Sequence, residues 1–391
     1  MTGKVIVAGV DMVKFVKPGE QEPYRVMAAR AIRGALNDAE IDASLIEQAY
    51  AAYIYGDTTC GQHALYDVFQ TGIPVINVNN ACASGSTALL LARQAVQSGA
   101  IDCALAFGFE EMQRGALGAV YQDRECPVQR FSTVLDELDY PPAPVAIRCF
   151  GAAGDYYLKK YDAKAEIFAK VSVKTRSHAV HNPYSLFTET LTEDEVMNSP
   201  ELYGGYLTRL MSCPPTCGAG AAVLCSEAVA NRQGISNRAE IIGQAMTTDT
   251  PETWTDPIEL VGADMTRRAA QKAYEEAGLG PESVQVVELH DCFTPNEVIT
   301  YEALGLCSEG EATRFIEDGE NTYGGRFVVN PSGGLMSKGH PIGATGLAQC
   351  FELNMQLRGQ TGARQVEGAR IGLQHNLGLG GAAVVTMYRA A

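Results

Sequence analysis

Positive charge is scarce in this chain. Its 391 residues contain 30 lysines and arginines against 46 aspartates and glutamates, which gives a formal net charge of -16 at pH 7. A protein that binds duplex nucleic acid needs a basic face, so this balance argues against nucleic acid as a partner. An anionic small ligand would instead need a local cluster of cations.

Long apolar runs and a secretory segment are also lacking. No stretch reaches the roughly 20 apolar residues that span a bilayer, and the chain begins directly with the strand-like residues 4–9. The 11 cysteines are odd in number and have no compact spacing framework, which is typical of reduced thiols. We therefore expect a cytoplasmic protein with no membrane contact. The close pair Cys213 and Cys217 lacks a second pair to complete a zinc site, so we predict a structural role for this pair and no metal.

The composition and pattern indicate two α/β halves. Hydrophobic residues make up 46% of the chain and charged residues 19%, which is typical of a globular protein with more than one core. Helix-like residues 25–38 precede the strand-like 49–55, and residues 265–277 precede 286–289 in the same way. We predict an N-terminal half at 1–118, an inserted domain at 119–238 and a C-terminal half at 239–391, with the active site shared between the halves.

A cysteine lies at the junction of a strand and a helix. Cys82, in the segment Asn80–Ser86, follows the apolar residues 73–78 and precedes the helical run 87–96. At a helix N-terminus the free backbone N–H groups and the helix dipole stabilise a thiolate, and the small neighbours admit a bulky substrate. A single cysteine is more often a buried, inert side chain, so Cys82 is a candidate nucleophile only together with residues elsewhere.

Those residues lie in three downstream segments. They are 288–293 with His290 and Cys292, 339–346 with His340, and 374–381 with His375. Each segment follows a strand-like stretch or leads into a turn of small residues, where α/β proteins place catalytic groups. Histidine beside cysteine is the usual means of activating a thiol. Each histidine alone could simply cap a helix or end a strand, but their combination favours an active site.

In combination these segments resemble the thiolase family, in the branch that in animals is joined to a sterol carrier protein domain. The likeness runs from residues 10–19 to 384–388. The residues His290–Phe293 replace the Asn-Glu-Ala-Phe of most thiolases, and His375 replaces a cysteine, as in that branch. The resemblance implies a thiolase fold: two pseudo-twofold βαβαβ-type halves in five αβαβα layers, with an inserted loop domain. The animal proteins continue into a lipid-carrying domain and a peroxisomal address, and we expect neither here.

The resemblance implies cleavage of a 3-ketoacyl-CoA by a second CoA, giving acetyl-CoA or propionyl-CoA and a shortened acyl-CoA. We assign Cys82 as the nucleophile, His340 as its base, Cys292 as the acid and His290 as a hydrogen-bond donor to the substrate oxygen, with His340. The backbone N–H of Cys82 and one from residues 376–380 would hold the oxyanion. CoA is then a co-substrate, and no cofactor is bound permanently.

The sequence leaves three points open: which residues contact CoA, which oligomer forms and which reaction is catalysed. The inserted domain offers cations for CoA, although any one of them could be an ordinary surface charge: Lys159, Lys160, Lys164, Lys170, Lys174 and Arg176. Thiolases are at least dimers, so we expect a homodimer or a dimer of dimers. Two other functions remain open: a retro-aldol lyase acting on steroid side-chain CoA esters with a small partner protein, and a non-catalytic acyl-CoA- or lipid-binding protein. Related lyases do not need the nucleophilic cysteine, so Cys82 counts against the first.

Overall fold

The computed structural model describes residues 3–113, 121 and 123–391, so the boundary predicted at 118 and 119 lies outside the described residues. The strands are β1 Val5–Met12, β2 Gln48–Ala52, β3 Val75–Val78, β4 Cys103–Glu110, β5 Glu201–Tyr203, β6 Leu207–Thr208, β7 Gly218–Ser226, β8 Ala239–Thr247, β9 Val286–Glu288, β10 Val328–Val329, β11 Ile371–Gly378 and β12 Ala382–Ala390. The helices are α1 Tyr24–Ala39, α2 Cys60–Tyr66, α3 Ser84–Gln97, α4 Gln129–Glu137, α5 Val145–Tyr161, α6 Glu166–Ala179, α7 Glu193–Met197, α8 Glu227–Gln233, α9 Pro257–Leu260, α10 Ala263–Ala277, α11 Thr294–Ala303, α12 Ala312–Glu317, α13 Gly334–Ser337 and α14 Thr345–Leu357.

The two halves have the same sheet topology. The strand order is β3-β2-β4-β7-β1 in the first half and β10-β9-β11-β12-β8 in the second. In each half the first two pairings are parallel and the last two are antiparallel. A short pairing of β1 with β8, at Ile6 and Val7, joins the halves into one ten-stranded sheet. This repeat confirms the predicted duplication.

The five strands of each half form one layer, and with the helices on their two sides they make five layers. Helix α1 contacts β1, β4 and β7 of the first half, and α10 contacts β8 and β12 of the second. Helices α3 and α14 contact each other and strands of both halves, so they form the central layer. Strand β1 shows the alternation that this requires: Val5 and Val7 pack in the core of the central helices, while Ile6 and Ala8 pack under α1. The predicted αβαβα arrangement is confirmed.

The N-terminal ends of the two central helices meet backbone to backbone. A β-carbon at Gly346, in α14, would lie 2.2 Å from the backbone nitrogen of Ser86 in α3. A β-carbon at Gly85 would lie 2.9 Å from the carbonyl oxygen of Gly343. Only glycine permits such an approach. The contact brings together the helix ends that follow Cys82 and His340.

The inserted segment packs mainly on the C-terminal half. Helices α5 and α6 contact α11, and the ring of Phe150 stacks on that of Phe293 with centroids 5.0 Å apart. Strand β7 falls inside the range 119–238 that we predicted as the insert, but it pairs with β1 and β4 and completes the first half of the sheet. The domain boundaries otherwise stay a prediction. In the described part of the chain, we find no helix with both the length and the apolar character needed to cross a membrane.

Candidate active site

Cys82 lies in a tight turn between β3 and α3. Ala81 adopts a left-handed conformation with φ of 47°, which is uncommon for a residue other than glycine. The Ser84 hydroxyl stabilises the turn, since it accepts the backbone N–H of Asn80 at 2.7 Å and donates to the Ala81 carbonyl oxygen at 2.7 Å. The turn therefore places Cys82 just before the first residues of α3, as the sequence predicts.

Three of the four predicted catalytic side chains converge. One side-chain sulfur or nitrogen atom from each of Cys82, His290 and His340 lies within 4.8 Å of the other two. The two imidazole rings are 5.0 Å apart and nearly perpendicular, at 83°. Cys82 belongs to the first half, whereas His290 follows β9 and His340 precedes α14 in the second. The structure thus forms this cluster across the contact between the halves.

His340 is arranged as a proton acceptor. The Thr345 hydroxyl lies 2.9 Å from the Pro341 carbonyl oxygen and 2.7 Å from Nδ1 of His340, and both contacts are hydrogen bonds only if the hydroxyl donates to the carbonyl and accepts from Nδ1. Nδ1 therefore carries the proton, and Nε2 has a lone pair. Within the described residues, Nε2 is buried without a hydrogen-bond partner. Burial lowers the pKa of His340 to about 3, which keeps the ring neutral at physiological pH.

Cys82 is protonated in the resting site. Burial raises the pKa of its thiol to about 12, and the negative charge of Glu110 adds to this. Hydrogen bonds from the backbone N–H groups of Cys82 and Leu379 act in the opposite sense. The backbone N–H groups therefore favour the thiolate, as expected of a helix N-terminus, but desolvation opposes it more strongly. Attack by Cys82 requires a base, and the lone pair of His340 lies in the same cluster.

Cys292 lies beside this cluster together with a third thiol. It is buried in the loop from β9 to α11, and its carbonyl oxygen accepts the Cys213 N–H at 2.8 Å. Burial raises the pKa of the Cys292 thiol well above its usual value, and the thiols of Cys213 and Cys82 add to the shift. Cys213 was missed as a site residue, because tertiary contacts bring it there: its own hydrogen bond to Cys292 and the bridges of Ser212 with Phe293 and of Pro215 with His340. Cys217 instead accepts the backbone N–H of Met112 at 3.2 Å.

His375 points away from the cluster. Its Nε2 lies 3.0 Å from the Thr266 hydroxyl of α10, on the outer face of the second half, and its Nδ1 lies 3.5 Å from the His290 backbone N–H. Neighbouring residues on a strand face opposite sides of the sheet, so Gln374 and Asn376 face the central helices instead. His375 therefore supports the backbone of His290.

Glu110 is a second residue that the motif analysis missed. It ends β4 and is 1% exposed. Its carboxylate accepts the backbone N–H groups of Tyr55 and Gly343, both at 2.9 Å, and of Ile54 at 3.2 Å. Burial raises its pKa to about 7. The sequence did contain a signal for Glu110: an acidic residue follows the buried, strand-like run 101–107. A carboxylate buried at that position needs hydrogen-bond partners.

Most of the cations proposed for CoA already have partners. Lys159, Lys160 and Lys170 form ion pairs with Asp155, Glu309 and Glu317 respectively. Lys174 is buried against Glu297, which removes it from the candidates for an exposed phosphate. The Arg176 guanidinium lies 4.1 Å from the centroid of the Phe187 ring.

The cluster could also hold a metal by spacing alone. Cysteine thiolate and imidazole are common zinc ligands, and Cys82, His290 and His340 supply three of them. Their arrangement serves equally well as a nucleophile with a base and a hydrogen-bond donor. The absence of a bound metal stays a prediction.

Comparison with known proteins gives consistent matches over the whole chain. Residues 5–196 match the thiolase N-terminal domain, and residues 243–388 match the thiolase C-terminal domain-like model. Sterol carrier protein 2 of Oryctolagus cuniculus is 51% identical over 99% of this chain and 72% of its own length. The benzoylsuccinyl-CoA thiolase subunit BbsB of Thauera aromatica is 35% identical over 96% of this chain and 95% of its own.

Solved structures show the same fold at low sequence identity. An Ltp2-ChsH2(DUF35) aldolase superposes with a TM-score of 0.83 at 22% identity, covering 100% of this chain and 98% of that one. Human mitochondrial 3-ketoacyl-CoA thiolase superposes with a TM-score of 0.76 at 15% identity, covering 100% and 99%. The family matches, the identity to relatives and the shared architecture lead to one conclusion: this chain belongs to the thiolase family and has the thiolase fold.

Proposed function

We propose that this protein is a 3-ketoacyl-CoA thiolase, which transfers the acyl part of its substrate to CoA through Cys82. Membership of the thiolase family supports an acyl-CoA thiolase activity. The observation that carries the finer proposal is the cluster of Cys82, His290 and His340 within 4.8 Å, in which Nε2 of His340 is free to accept a proton.

In the first half-reaction, Nε2 of His340 takes the proton of Cys82, and the thiolate attacks the 3-keto carbon. The backbone N–H groups of Cys82 and Leu379 form hydrogen bonds to the Cys82 sulfur, so they are suited to hold the oxyanion. The bond between C2 and C3 then breaks, which leaves an acyl group on Cys82 and the enolate of acetyl-CoA or propionyl-CoA. His290 and protonated His340 donate hydrogen bonds to the enolate oxygen, and the Cys292 thiol protonates its carbon.

In the second half-reaction the Cys292 thiolate takes the proton of an incoming CoA thiol. The CoA sulfur attacks the acyl carbon on Cys82, and the shortened acyl-CoA leaves. The Cys82 thiolate then takes back its proton from His340, so each group returns to its starting state. Two cysteines and one base thus suffice, because Cys292 exchanges one proton in opposite directions in the two steps.

CoA is the proposed co-substrate, and no permanently bound cofactor is required by these steps. The name of the Thauera aromatica relative refers to a CoA thioester, and the human mitochondrial 3-ketoacyl-CoA thiolase has been solved in complex with CoA. All eleven cysteines are free, which supports a reducing compartment such as the cytoplasm.

We also propose that the protein is a homodimer that pairs through β3. This strand lies at the edge of the sheet, and Ile76 and Asn77 within it are exposed. An exposed edge with an apolar residue is a template for pairing with a second copy. Light scattering should give a dimer mass, or twice that mass for a dimer of dimers. Ile76→Lys should shift it toward the monomer, and a monomeric wild type would refute the proposal.

The direct test of the reaction uses purified protein with a short and a branched long-chain 3-ketoacyl-CoA, with and without CoA. Substrate loss and the intact mass of the protein are followed together, beside Cys82→Ala and Cys292→Ala. We expect an acyl adduct on Cys82 that CoA discharges, and loss of turnover in both variants. Cleavage that survives Cys82→Ala would favour a lyase, and binding without adduct or turnover would favour a carrier; either result would refute the proposal.

A further inference from the structure

A line of buried polar side chains runs from Tyr388 on β12 to the ring of His290. The Tyr388 hydroxyl donates to Oε1 of Gln374 at 2.5 Å, and Nε2 of Gln374 donates to the Ser86 hydroxyl oxygen at 2.8 Å. The Ser86 hydroxyl oxygen lies 2.9 Å from Oδ1 of Asn376, within hydrogen-bond distance. Nδ2 of Asn376 lies 3.0 Å from Nδ1 of His290. All five side chains are at most 1% exposed, so bulk water does not reach them and each depends on its protein partners.

The direction of each hydrogen bond follows from one group whose role is certain. The Gly346 carbonyl oxygen can only accept, and it lies 2.8 Å from Nε2 of Gln374, which must therefore be the amide nitrogen. That nitrogen gives its second hydrogen to Ser86. The Ser86 hydroxyl then has its own hydrogen left for Asn376, which must present its oxygen to Ser86 and its nitrogen to His290.

We infer that this chain of hydrogen bonds fixes the proton of neutral His290 on Nε2, and that Asn376 is a positioning residue for the reaction. The inference rests on the proposed function, in which His290 donates a hydrogen bond to the substrate oxygen. Because Nδ1 accepts from Asn376, it carries no hydrogen, and the single proton of the neutral ring is on Nε2. An imidazolium is disfavoured, because its Nδ1–H would face the N–H of Asn376.

The two histidines therefore present opposite groups to the cluster. His340 has a lone pair at Nε2, because its Nδ1–H donates to the Thr345 hydroxyl oxygen. His290 offers an N–H at Nε2, because Asn376 occupies its Nδ1 as a donor. One ring is thus suited to take the proton of Cys82, and the other is suited to stabilise an oxygen. A protonated Nε2 is a poor metal ligand, which also disfavours zinc in this cluster.

The contact between the halves establishes this arrangement. Ser86 lies in α3, the helix that follows Cys82, while Gln374 and Asn376 lie on β11 of the other half. Among the described residues, the side-chain partners of the Asn376 amide are Ser86 and His290, and the Ser86 hydroxyl is the one that identifies the amide oxygen. The docking of α3 against β11 therefore determines which nitrogen of His290 is protonated.

The discriminating variant is Asn376→Asp. A carboxylate can only accept, so it would bind a proton on Nδ1 of His290, and the neutral ring would then present a lone pair at Nε2. The same charge favours an imidazolium, which still donates from Nε2. We expect this variant to retain most of its activity at low pH. As the imidazolium loses its proton with rising pH, activity should fall about 100-fold, mostly in kcat, because one hydrogen-bond donor to the oxyanion is then lost. Wild-type protein should show no such fall over that pH range.

Asn376→Leu is the matched control. It removes the donor without supplying an acceptor, so activity should drop without the new dependence on pH. A merely structural role for Asn376 predicts equal losses in both variants at every pH, and that outcome would overturn the inference.

Nitrogen NMR of histidine-labelled wild-type protein tests the assignment without any substitution at Asn376, and His290→Asn serves only to identify the signal. We expect a protonated Nε2 and an unprotonated Nδ1 on His290; the reverse would overturn the inference even if the Asn376 variants fail to fold. The mass experiment on Cys82 is read separately. Wild-type protein without adduct or turnover would refute the proposed function, whereas the NMR spectrum still decides the tautomer.

Discussion

The carboxylate of Glu110 accepts the backbone N–H of Gly343 at 2.9 Å, across the contact between the two halves. Glu110 ends β4 of the half that carries Cys82, while Gly343 lies in the loop between His340 and α14. The same carboxylate accepts two further N–H groups from the loop after β2. Since nucleophile and base come from different halves, this hydrogen bond helps to determine the distance between them.

We predict that Glu110→Gln lowers kcat by about 10- to 100-fold, because an amide nitrogen would face backbone donors and shift the His340 loop. Steady-state kinetics and a thermal melt measure the two effects. Glu111→Gln is the matched control, because this neighbouring carboxylate accepts the N–H of Tyr24 within the first half. Equal activity of the two variants would contradict the role of Glu110.

The raised pKa of Glu110 predicts that the free energy of unfolding depends on pH. Burial raises its pKa from 4.5 to about 7, so the unfolded chain releases this proton at lower pH than the folded one. Between these values the folded state binds more protons, and stability falls as pH rises, by roughly 3 kcal/mol in total. Urea unfolding at about pH 5 and about pH 8 should show a steeper fall for the wild type than for Glu110→Gln, which does not titrate. Parallel curves would be inconsistent with a buried, titrating Glu110.

Cys82 should react slowly with iodoacetamide in the absence of substrate. Because burial raises the pKa of its thiol to about 12, little thiolate exists near neutral pH, and the rate of alkylation should keep rising into the alkaline range. Peptide mass mapping of Cys82 against pH gives this rate, with Cys82→Ala as the blank. A plateau of the rate below about pH 8 would mean that the resting thiol is already ionised.

The two thiols beside Cys82 should differ in their effect on turnover. We predict that Cys292→Ala lowers kcat by about 100- to 10,000-fold, since it removes the proposed acid. Cys213→Ala removes a neighbouring thiol of the same size and should cost less than about tenfold, because its backbone N–H remains bonded to Cys292. Comparable losses in the two variants would assign the acid role to neither residue alone.

Lys174 should matter for stability and not for CoA. Its ion pair with Glu297 is buried, so Lys174→Met leaves an unpaired buried carboxylate and should destabilise the protein by about 3–5 kcal/mol. Lys159→Met breaks an exposed pair and should change stability little. Urea unfolding and the KM for CoA are measured for both. A large rise in KM with unchanged stability for Lys174→Met would return this lysine to the CoA site.

The sequence alone determined the local features of this protein. Helix and strand periodicity is set by neighbouring residues, so the duplication and the placement of Cys82 before α3 and of His340 before α14 could be predicted. The thiolase fold was implied by the resemblance of the motifs around these residues to that family. The roles of Cys82, His290, Cys292 and His340 stay predictions, although the structure brings three of these side chains together.

Only the tertiary structure decided which distant groups meet and what burial does to them. Strand β7 joins the first half by pairing with residues more than a hundred positions away, and a local sequence pattern cannot predict such a pairing. Glu110, at the end of β4, and Cys213 contact the site through hydrogen bonds with Gly343 and Cys292, and Ser86 orients Asn376 from the opposite half. The protonation of Cys82 and of the histidines depends on desolvation and on individual hydrogen-bond partners, and both exist only once the halves have packed together.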